Sequence, residues 1–259
     1  MNRETLETLL ERTRAEVLET GQYLREHTLS RVETKTGHAN FVTDMDLEIQ
    51  RQLTERLSKV LPEAVVVAEE QDRHPEAELC WIIDPIDGTT NYITGFRFSC
   101  ISVALVQDDV SILGVVYDPY SDEMYYAAQG LGAFCNGKRI SPSERPAERA
   151  LVALGTSPYH TELADKTFRA ARQAFEACAD LRRSGSAALD LCYVACGRID
   201  GYFEYILQPW DYAAGSCIVR EAGARVEGIE KGWTCAHPVG IIAAQKGLWP
   251  LLYNIVSTN

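Results

Sequence analysis

The chain is short of basic residues: its 259 residues include 25 Lys and Arg against 37 Asp and Glu, a formal net charge of −12. A surface that binds nucleic acid through its phosphates needs clustered Lys and Arg. We therefore expect no direct nucleic-acid binding, and an acidic protein suits small cationic partners such as metal ions better. The apolar runs are at most about eight residues long, too short to cross a bilayer, so we expect no membrane partner.

The sequence also lacks an export signal and a cysteine pattern typical of structural zinc. Residues 1–20 are charged throughout and contain no apolar signal core, so we expect a cytoplasmic protein. None of the eight cysteines forms a C-x-x-C pair, and without an export signal we expect them to be reduced and mostly buried. Cys192 and Cys196 could share a helix face, but no Cys or His motif lies near them, which disfavours a zinc site.

Hydropathy patterning predicts a helical start, a β-rich middle and an alternating end. The first helix is predicted over 2–27, with Leu18 on its apolar stripe, and the second begins at Thr43 and carries Leu47 on its stripe; a loop over 33–41 joins them. The next predicted elements are strands at 65–70, 79–84, 99–107, 110–118 and 123–129, with turns at 108–109 and 136–137. They are followed by a strand at 151–155, helices over 161–179 and 186–197, a strand at 201–205, a helix over 211–222, a strand at 239–244 and a helix over 247–256.

The polar, proline-containing stretch 141–150 is the best candidate for an internal boundary. It separates an N-terminal half, residues 1–145, from a C-terminal half, residues 146–259. Since no flexible linker joins the halves, we expect one compact unit. The order of elements predicts an α+β protein built as a layered α/β/α/β/α sandwich.

The most informative segment is WIIDPIDGTTNY, residues 81–92. An apolar strand ends at Asp84, and a Pro turn follows with Asp87 three residues further on. Two carboxylates and the Ile86 carbonyl between them can converge on one hard cation. The N–H groups of Gly88 and Thr89, at a predicted helix start, suit an anion. The alternative is that Asp-Pro and Asp-Gly only mark surface turns.

Two further sources of carboxylate lie at element ends. Glu69 and Glu70 are the last two residues of a predicted strand, and Asp211 opens a predicted helix. Taken alone, the first pair could be ordinary surface acids and Asp211 an ordinary helix cap. Acids gathered at one edge of an α/β scaffold, however, are how such proteins build a metal cluster.

Together these segments resemble the inositol monophosphatase family, with the likeness running from Lys35 to about Val226. The motifs D-P-x-D-G-T, W-D-x-x-A-G at 210–215 and V-T-x-x-D at 42–46 carry it, and Ala68 departs from the Gly usual before Glu-Glu. The resemblance implies a layered sandwich of the sugar-phosphatase type, a homodimer, lithium sensitivity and two or three Mg²⁺ ions. It implies that the metal ligands are Glu69, Asp84, Ile86 (carbonyl), Asp87 and Asp211.

The same resemblance implies a mechanism in which Glu69, Thr89 and Asp46 are catalytic: a magnesium-bound water attacks the phosphate, and the Thr89–Asp46 pair aligns that water. Lys35 is expected near the metals. Glu204 is expected to bind a pair of ring hydroxyls, unless it is only an exposed acid. The implied substrate contacts are Glu69, Ile86, Asp87, Gly88, Thr89, Gly185, Ser186, Ala187, Glu204 and Asp211.

The substrate is expected to be a small phosphorylated polyol, and myo-inositol monophosphate in particular. Thr90 and Asn91 follow the motif, whereas relatives that cleave nucleotide bisphosphates or histidinol phosphate tend to carry Lys or Arg there. The alternatives are fructose-1,6-bisphosphatase activity, 3′(2′),5′-bisphosphate nucleotidase activity, or binding to the transcription machinery. A haloacid-dehalogenase-like mechanism is excluded because Pro85 stands where that class needs a nucleophilic Asp.

Overall fold

A computed structural model describes residues 1–27, 32–34, 41–71, 77–230, 233–235 and 237–259. The helices are α1 (Arg3–Glu26), α2 (Asp44–Val60), α3 (Thr89–Thr94), α4 (Ala164–Ala177), α5 (Ala187–Ala195), α6 (Pro209–Ala222) and α7 (Trp249–Thr258). Short 3₁₀ turns cover Ala147–Arg149 and Thr161–Leu163. Within these ranges, no helix is long and apolar enough to span a membrane.

Two large sheets form the framework. The first contains β3 (Val65–Ala68), β4 (Leu79–Asp87), β5 (Cys100–Gln107), β6 (Val110–Asp118), β7 (Glu123–Ala128), β8 (Gly132–Cys135) and β9 (Lys138–Arg139), in that spatial order. The second has the order β11 (Asp180–Arg182), β10 (Leu151–Leu154), β12 (Gly201–Leu207), β14 (Val239–Ala244) and β13 (Arg225–Gly228). Residues 140–150 connect the two sheets.

The side chains between these elements form three apolar clusters, and these define five layers. One cluster lies between α1, α2 and the first sheet; the central cluster joins that sheet to α5, α6 and the second sheet; the third lies between the second sheet, α4 and α7. The predicted α/β/α/β/α order is therefore confirmed. Helices α5 and α6 form the middle layer, so both sheets pack against them.

Several local predictions are confirmed and several are wrong. The turns at 108–109 and 136–137 have positive φ at both central residues, as tight hairpins between twisted strands require. The predicted loop 33–41 instead begins and ends in strands, because β1 (Val32–Thr34) pairs antiparallel with β2 (Phe41–Thr43). Leu18 and Leu47 are exposed, since each is out of phase with the four-residue spacing of its buried neighbours.

Candidate metal centre and active-site cavity

Strand β4 carries the central motif and is longer than predicted. It continues through Pro85 to Asp87, while its register with β5 shifts between Asp84 and Asp87. The shift leaves one extra residue in β4, a β-bulge, and bulges commonly re-aim side chains beside active sites. The Ile86 N–H donates to Asp84 Oδ1 at 3.0 Å. The bulge thus allows a proline within the strand, and it brings Asp84 and Asp87 to the same end of the sheet.

Helix α3 begins directly after the bulge, as predicted. Gly88 has a φ of +91°, and a Cβ there would lie 3.0 Å from the Phe98 carbonyl oxygen, so only glycine fits without strain. The Thr89 hydroxyl lies 3.0 Å from the Ile86 carbonyl oxygen and 3.4 Å from Asp46 Oδ1. The predicted Thr89–Asp46 pair is therefore brought together.

Asp46 owes its position to the start of α2. Thr43 caps this helix, and Asp46 completes a capping box, its Oδ2 accepting from the Thr43 N–H at 2.8 Å and also from the Thr43 hydroxyl. Because both contacts use Oδ2, Oδ1 lies on the side of Thr89. The Asp46 side chain is completely buried, so its orientation is set by these contacts.

The three aspartates of the motifs meet at one point. Asp84, Asp87 and Asp211 each offer a carboxylate oxygen, and these oxygens lie within 4.8 Å of one another. Asp211 reaches this point from the first turn of α6, where its Oδ2 also accepts from the Gln208 N–H at 2.7 Å. A role of Asp211 as a helix cap is thus compatible with a role as a metal ligand, since the capping side chain also places a carboxylate oxygen beside those of Asp84 and Asp87.

Without a cation, burial and mutual repulsion make it costly in free energy to ionise these three carboxyl groups. Burial is the main cause that raises the pKa of Asp84 and of Asp211 well above the usual range, and the neighbouring carboxylates add to it. Burial also raises the pKa of Asp87 to about 6, against the opposing hydrogen bonds from Ser186 and Ala188. An all-oxygen set that is costly to ionise alone fits a hard divalent cation such as Mg²⁺.

Helix α5 fixes Asp87 from the opposite side. The Ser186 hydroxyl donates to Asp87 Oδ2 at 2.6 Å, and the Ala188 N–H donates to the same oxygen at 2.7 Å. Ser186 also caps α5, accepting from the Leu189 N–H. The start of α5, with Gly185, therefore borders the aspartate group, as the substrate-contact prediction requires.

Glu69 lies beside the three aspartates. It follows β3, its N–H donates to the Ile83 carbonyl oxygen at 3.2 Å, and its charge raises the pKa of all three aspartates. In the described part of the chain, the group within 4.8 Å consists of the aspartates without Glu69. The Glu70 N–H donates to Gln50 Oε1 at 2.8 Å, and Glu70 does not line the cavity.

A cavity of about 600 Å³ opens over the group. Every predicted metal or substrate-contact residue lines it: Glu69, Asp84, Ile86, Asp87, Gly88, Thr89, Gly185, Ser186, Ala187, Glu204 and Asp211. Asp46 lies behind Thr89, and Lys35 is outside the described residues. The motifs around Asp84 and Asp211, which are more than 100 residues apart in the chain, thus line one cavity.

Glu204 is held by two residues of the cavity that were not predicted from the sequence, Ser157 and Tyr202. Glu204 Oε1 accepts from the Ser157 N–H at 2.7 Å and from the Ser157 hydroxyl at 3.1 Å, and Oε2 accepts from the Tyr202 hydroxyl at 2.7 Å. Glu204 is buried, so it is not the exposed acid of the alternative reading. Burial raises its pKa, against these hydrogen bonds.

Asp190 was also missed. It is buried in α5, lines the cavity, and accepts from the Ser184 hydroxyl. A carboxylate within the otherwise apolar run ALDLCYVA was a sequence signal that could have found it.

Comparison with known proteins identifies the family. The chain matches the sequence model of the inositol monophosphatase family over residues 4–258. It is 38% identical over 226 residues to the Nus factor SuhB of Vibrio cholerae serotype O1, covering 86% of this chain and 85% of that protein.

Solved structures agree as well. The inositol monophosphatase from Anabaena (Nostoc) sp. PCC 7120 is 30% identical, with a TM-score of 0.86 over 98% of this chain and 96% of that one. An IMPase/NADP phosphatase, solved with Mg²⁺ and phosphate, is 25% identical, with a TM-score of 0.86 over 98% of this chain and 97% of that one. The resemblance inferred from the motifs is confirmed, and the chain belongs to the inositol monophosphatase family.

Proposed function

We propose that this chain is a magnesium-dependent phosphatase that hydrolyses a small phosphate monoester, with myo-inositol monophosphate as its substrate. One observation supports this most: a carboxylate oxygen from each of Asp84, Asp87 and Asp211 lies within 4.8 Å of the other two. Thr89 lines the same cavity. Clustered carboxylates that hold cations beside a hydroxyl able to orient water are the parts that phosphate-ester hydrolysis requires.

The residues that would hold Mg²⁺ are the three aspartates together with Glu69 and the Ile86 carbonyl, which line the same cavity. This donor set consists of oxygens only, and we propose that it holds two or three ions. Bound Mg²⁺ would supply positive charge for the phosphate oxygens and lower the pKa of a water molecule. A similar phosphatase was solved with Mg²⁺ and phosphate, which supports this choice of cation. We also propose that lithium inhibits the phosphatase activity.

Thr89 and Asp46 would position the attacking water. The Thr89 hydroxyl has one proton, which it can donate to Asp46 Oδ1 or to the Ile86 carbonyl oxygen. Its lone pairs are then available to accept a hydrogen bond from water. Because Thr43 holds Asp46 in place, Asp46 Oδ1 is positioned as an acceptor for the Thr89 proton before substrate arrives.

The remaining predicted contacts would bind the two ends of the substrate. We assign the Gly88 and Thr89 N–H groups to the phosphate, because these residues line the cavity next to Asp87. We assign Gly185, Ser186, Ala187 and Glu204 to the leaving alcohol, because they line the same cavity and the resemblance to the family implies this role.

The test is phosphate release from myo-inositol 1-phosphate with and without Mg²⁺, comparing the unaltered chain with Asp84→Asn. We expect at least a hundredfold loss of activity in the variant, because one ligand and one negative charge leave the cation site. Asp118→Asn is the matched control, since Asp118 is equally buried on β6 but does not line the cavity. Equal activity of Asp84→Asn and the unaltered chain would contradict the proposal.

The choice of alcohol needs its own experiment. The name of the similar IMPase/NADP phosphatase favours a nucleotide substrate as the alternative. Values of kcat/KM for myo-inositol 1-phosphate, fructose 1,6-bisphosphate and an adenosine 3′,5′-bisphosphate distinguish the candidates. A value for either bisphosphate above that for the inositol ester would reassign the substrate.

A second role is favoured by the name of the Vibrio cholerae relative, a Nus factor. We propose that the chain also binds a protein of the transcription machinery, as a cytoplasmic homodimer. Its net charge of −12 favours a basic protein surface over RNA as the partner. Co-purification with RNA polymerase that persists in Asp84→Asn would support this role, and its absence after tagging at either terminus would refute it.

A further inference from the structure

The loop after β10 contains a strained serine that faces the substrate cavity. Ser157 has a φ of +43°, in the left-handed region that side-chain-bearing residues adopt only at a cost in free energy. It is buried and lines the same cavity as the aspartate group. Such outliers persist where surrounding contacts hold them, and they often mark functional sites.

Two of the contacts that hold Ser157 are hydrogen bonds to Glu204. The N–H and the hydroxyl both donate to Oε1, at 2.7 and 3.1 Å. Gly155, two residues earlier, lies so close over Glu204 that a Cβ there would overlap the carboxylate. The loop thus closes directly onto Glu204.

These contacts use most of the hydrogen-bonding capacity of Glu204. A carboxylate accepts about four hydrogen bonds, and Ser157 and Tyr202 already supply three. About one position therefore remains for a ligand. The prediction that Glu204 binds a pair of ring hydroxyls is compatible with this only if one of the three donors leaves.

The Ser157 hydroxyl is the donor that can leave. Its bond to Glu204 is the longest of the three, and the hydroxyl also lies 3.3 Å from the Ile206 carbonyl oxygen. Ile206 lies where the register of β12 with β14 shifts, just after Glu204. The hydroxyl can therefore turn from one acceptor to the other without a change in the backbone.

We propose that Ser157 is a specificity-determining residue whose hydroxyl competes with the hydroxyls of the substrate for Glu204. This inference rests on the proposed phosphatase function and refines it. A substrate that offers one hydroxyl uses the remaining position on Glu204. A substrate that offers two neighbouring hydroxyls must displace the Ser157 hydroxyl, which then donates to Ile206. Ser157 thereby weakens the binding of cyclic polyol phosphates and does not affect esters without hydroxyls.

The test compares Ser157→Gly and Ser157→Ala with the unaltered chain on two substrates, myo-inositol 1-phosphate and p-nitrophenyl phosphate. In both variants we expect KM for the inositol ester to fall about threefold to tenfold, the change that corresponds to one net hydrogen bond. We expect kcat for the inositol ester and KM for the aryl ester to stay unchanged. Glycine relieves the strained backbone and alanine does not, so agreement between them assigns the effect to the hydroxyl.

The matched control is Ser121→Ala, which removes a serine hydroxyl from another carboxylate, Asp118, outside the cavity. It should leave both KM values unchanged. A rise in KM for the inositol ester, or an equal change for both substrates, would overturn the role of Ser157 alone. If the unaltered chain hydrolyses neither ester with Mg²⁺, the proposed function is overturned and this inference with it.

Discussion

Replacing Asp87 by Asn should stabilise the protein when no divalent cation is present. The pKa of Asp87 is raised from 3.8 to about 6, mainly by burial, so its ionised form is costly in the folded state. Two units correspond to about 3 kcal/mol. Asn is nearly isosteric, and its amide oxygen can still accept from Ser186 and Ala188. We therefore expect up to about 3 kcal/mol of added stability.

The pH dependence follows from the direction of the shift. A carboxyl group whose folded-state pKa is raised favours folding when protonated, and this advantage is lost as pH rises from about 4 through 6. The unaltered chain should therefore lose stability over this window relative to Asp87→Asn. The gain in the variant should be complete above about pH 7 and absent below about pH 4.

The assay is thermal unfolding in EDTA at several pH values, repeated with Mg²⁺. For a chain of this size, 3 kcal/mol corresponds to roughly 6–12 °C in Tm. With Mg²⁺ at about a hundred times its Kd, the unaltered chain should gain about 2.7 kcal/mol, and the variant less, because it lacks a ligand. The control Asp118→Asn should show neither effect. An Asp87→Asn chain that is no more stable in EDTA at pH 7.5, or whose gain does not vary with pH, would refute the reasoning.

Two further substitutions test the supporting contacts. Ser186→Ala removes the 2.6 Å hydrogen bond to Asp87 and the cap of α5. We therefore expect a loss of about 1–2 kcal/mol in unfolding free energy and roughly 10–100-fold weaker Mg²⁺ binding by titration calorimetry. Unchanged Mg²⁺ affinity would show that Asp87 does not need this hydrogen bond. Thr43→Ala removes the cap of α2, so we expect a loss of about 1 kcal/mol and a fall in kcat with KM unchanged, because Asp46 is then less firmly oriented toward Thr89. Rescue of kcat by Thr43→Ser would support this, and an equal fall in Thr43→Ser would contradict it.

The strand, the turn and the helix start around Asp84–Thr89 could be predicted from the sequence, because that information is local. An apolar strand that ends in Asp-Pro-x-Asp-Gly-Thr dictates a strand, a turn and a helix start within a few residues. The extension of β4 through Pro85 was not predicted, since a bulge depends on the register with β5. Strands β8, β9, β11 and β13 were not predicted either. They have two to four residues each, and so short a segment does not show a clear hydropathy period.

The wall around Glu204 illustrates what a single sequence does not reveal. Ser157 lies 47 residues from Glu204 in the chain, and nothing near it in the sequence indicates a left-handed backbone or a carboxylate partner. The contact exists because β10 and β12 are parallel neighbours, which brings the end of one strand beside the other. Only the sheet order, and not a local motif, determines that juxtaposition.

The position of α5 and α6 between the sheets has a consequence for synthesis on the ribosome. The first sheet is complete by residue 139, yet the apolar side chains that cover its inner face come from residues 187–222. A nascent chain that has just released its first half therefore exposes that face to water and to chaperones until α6 emerges. Asp211 emerges with the same helix, so the group of three aspartates is complete only when that helix is available to cover the inner face.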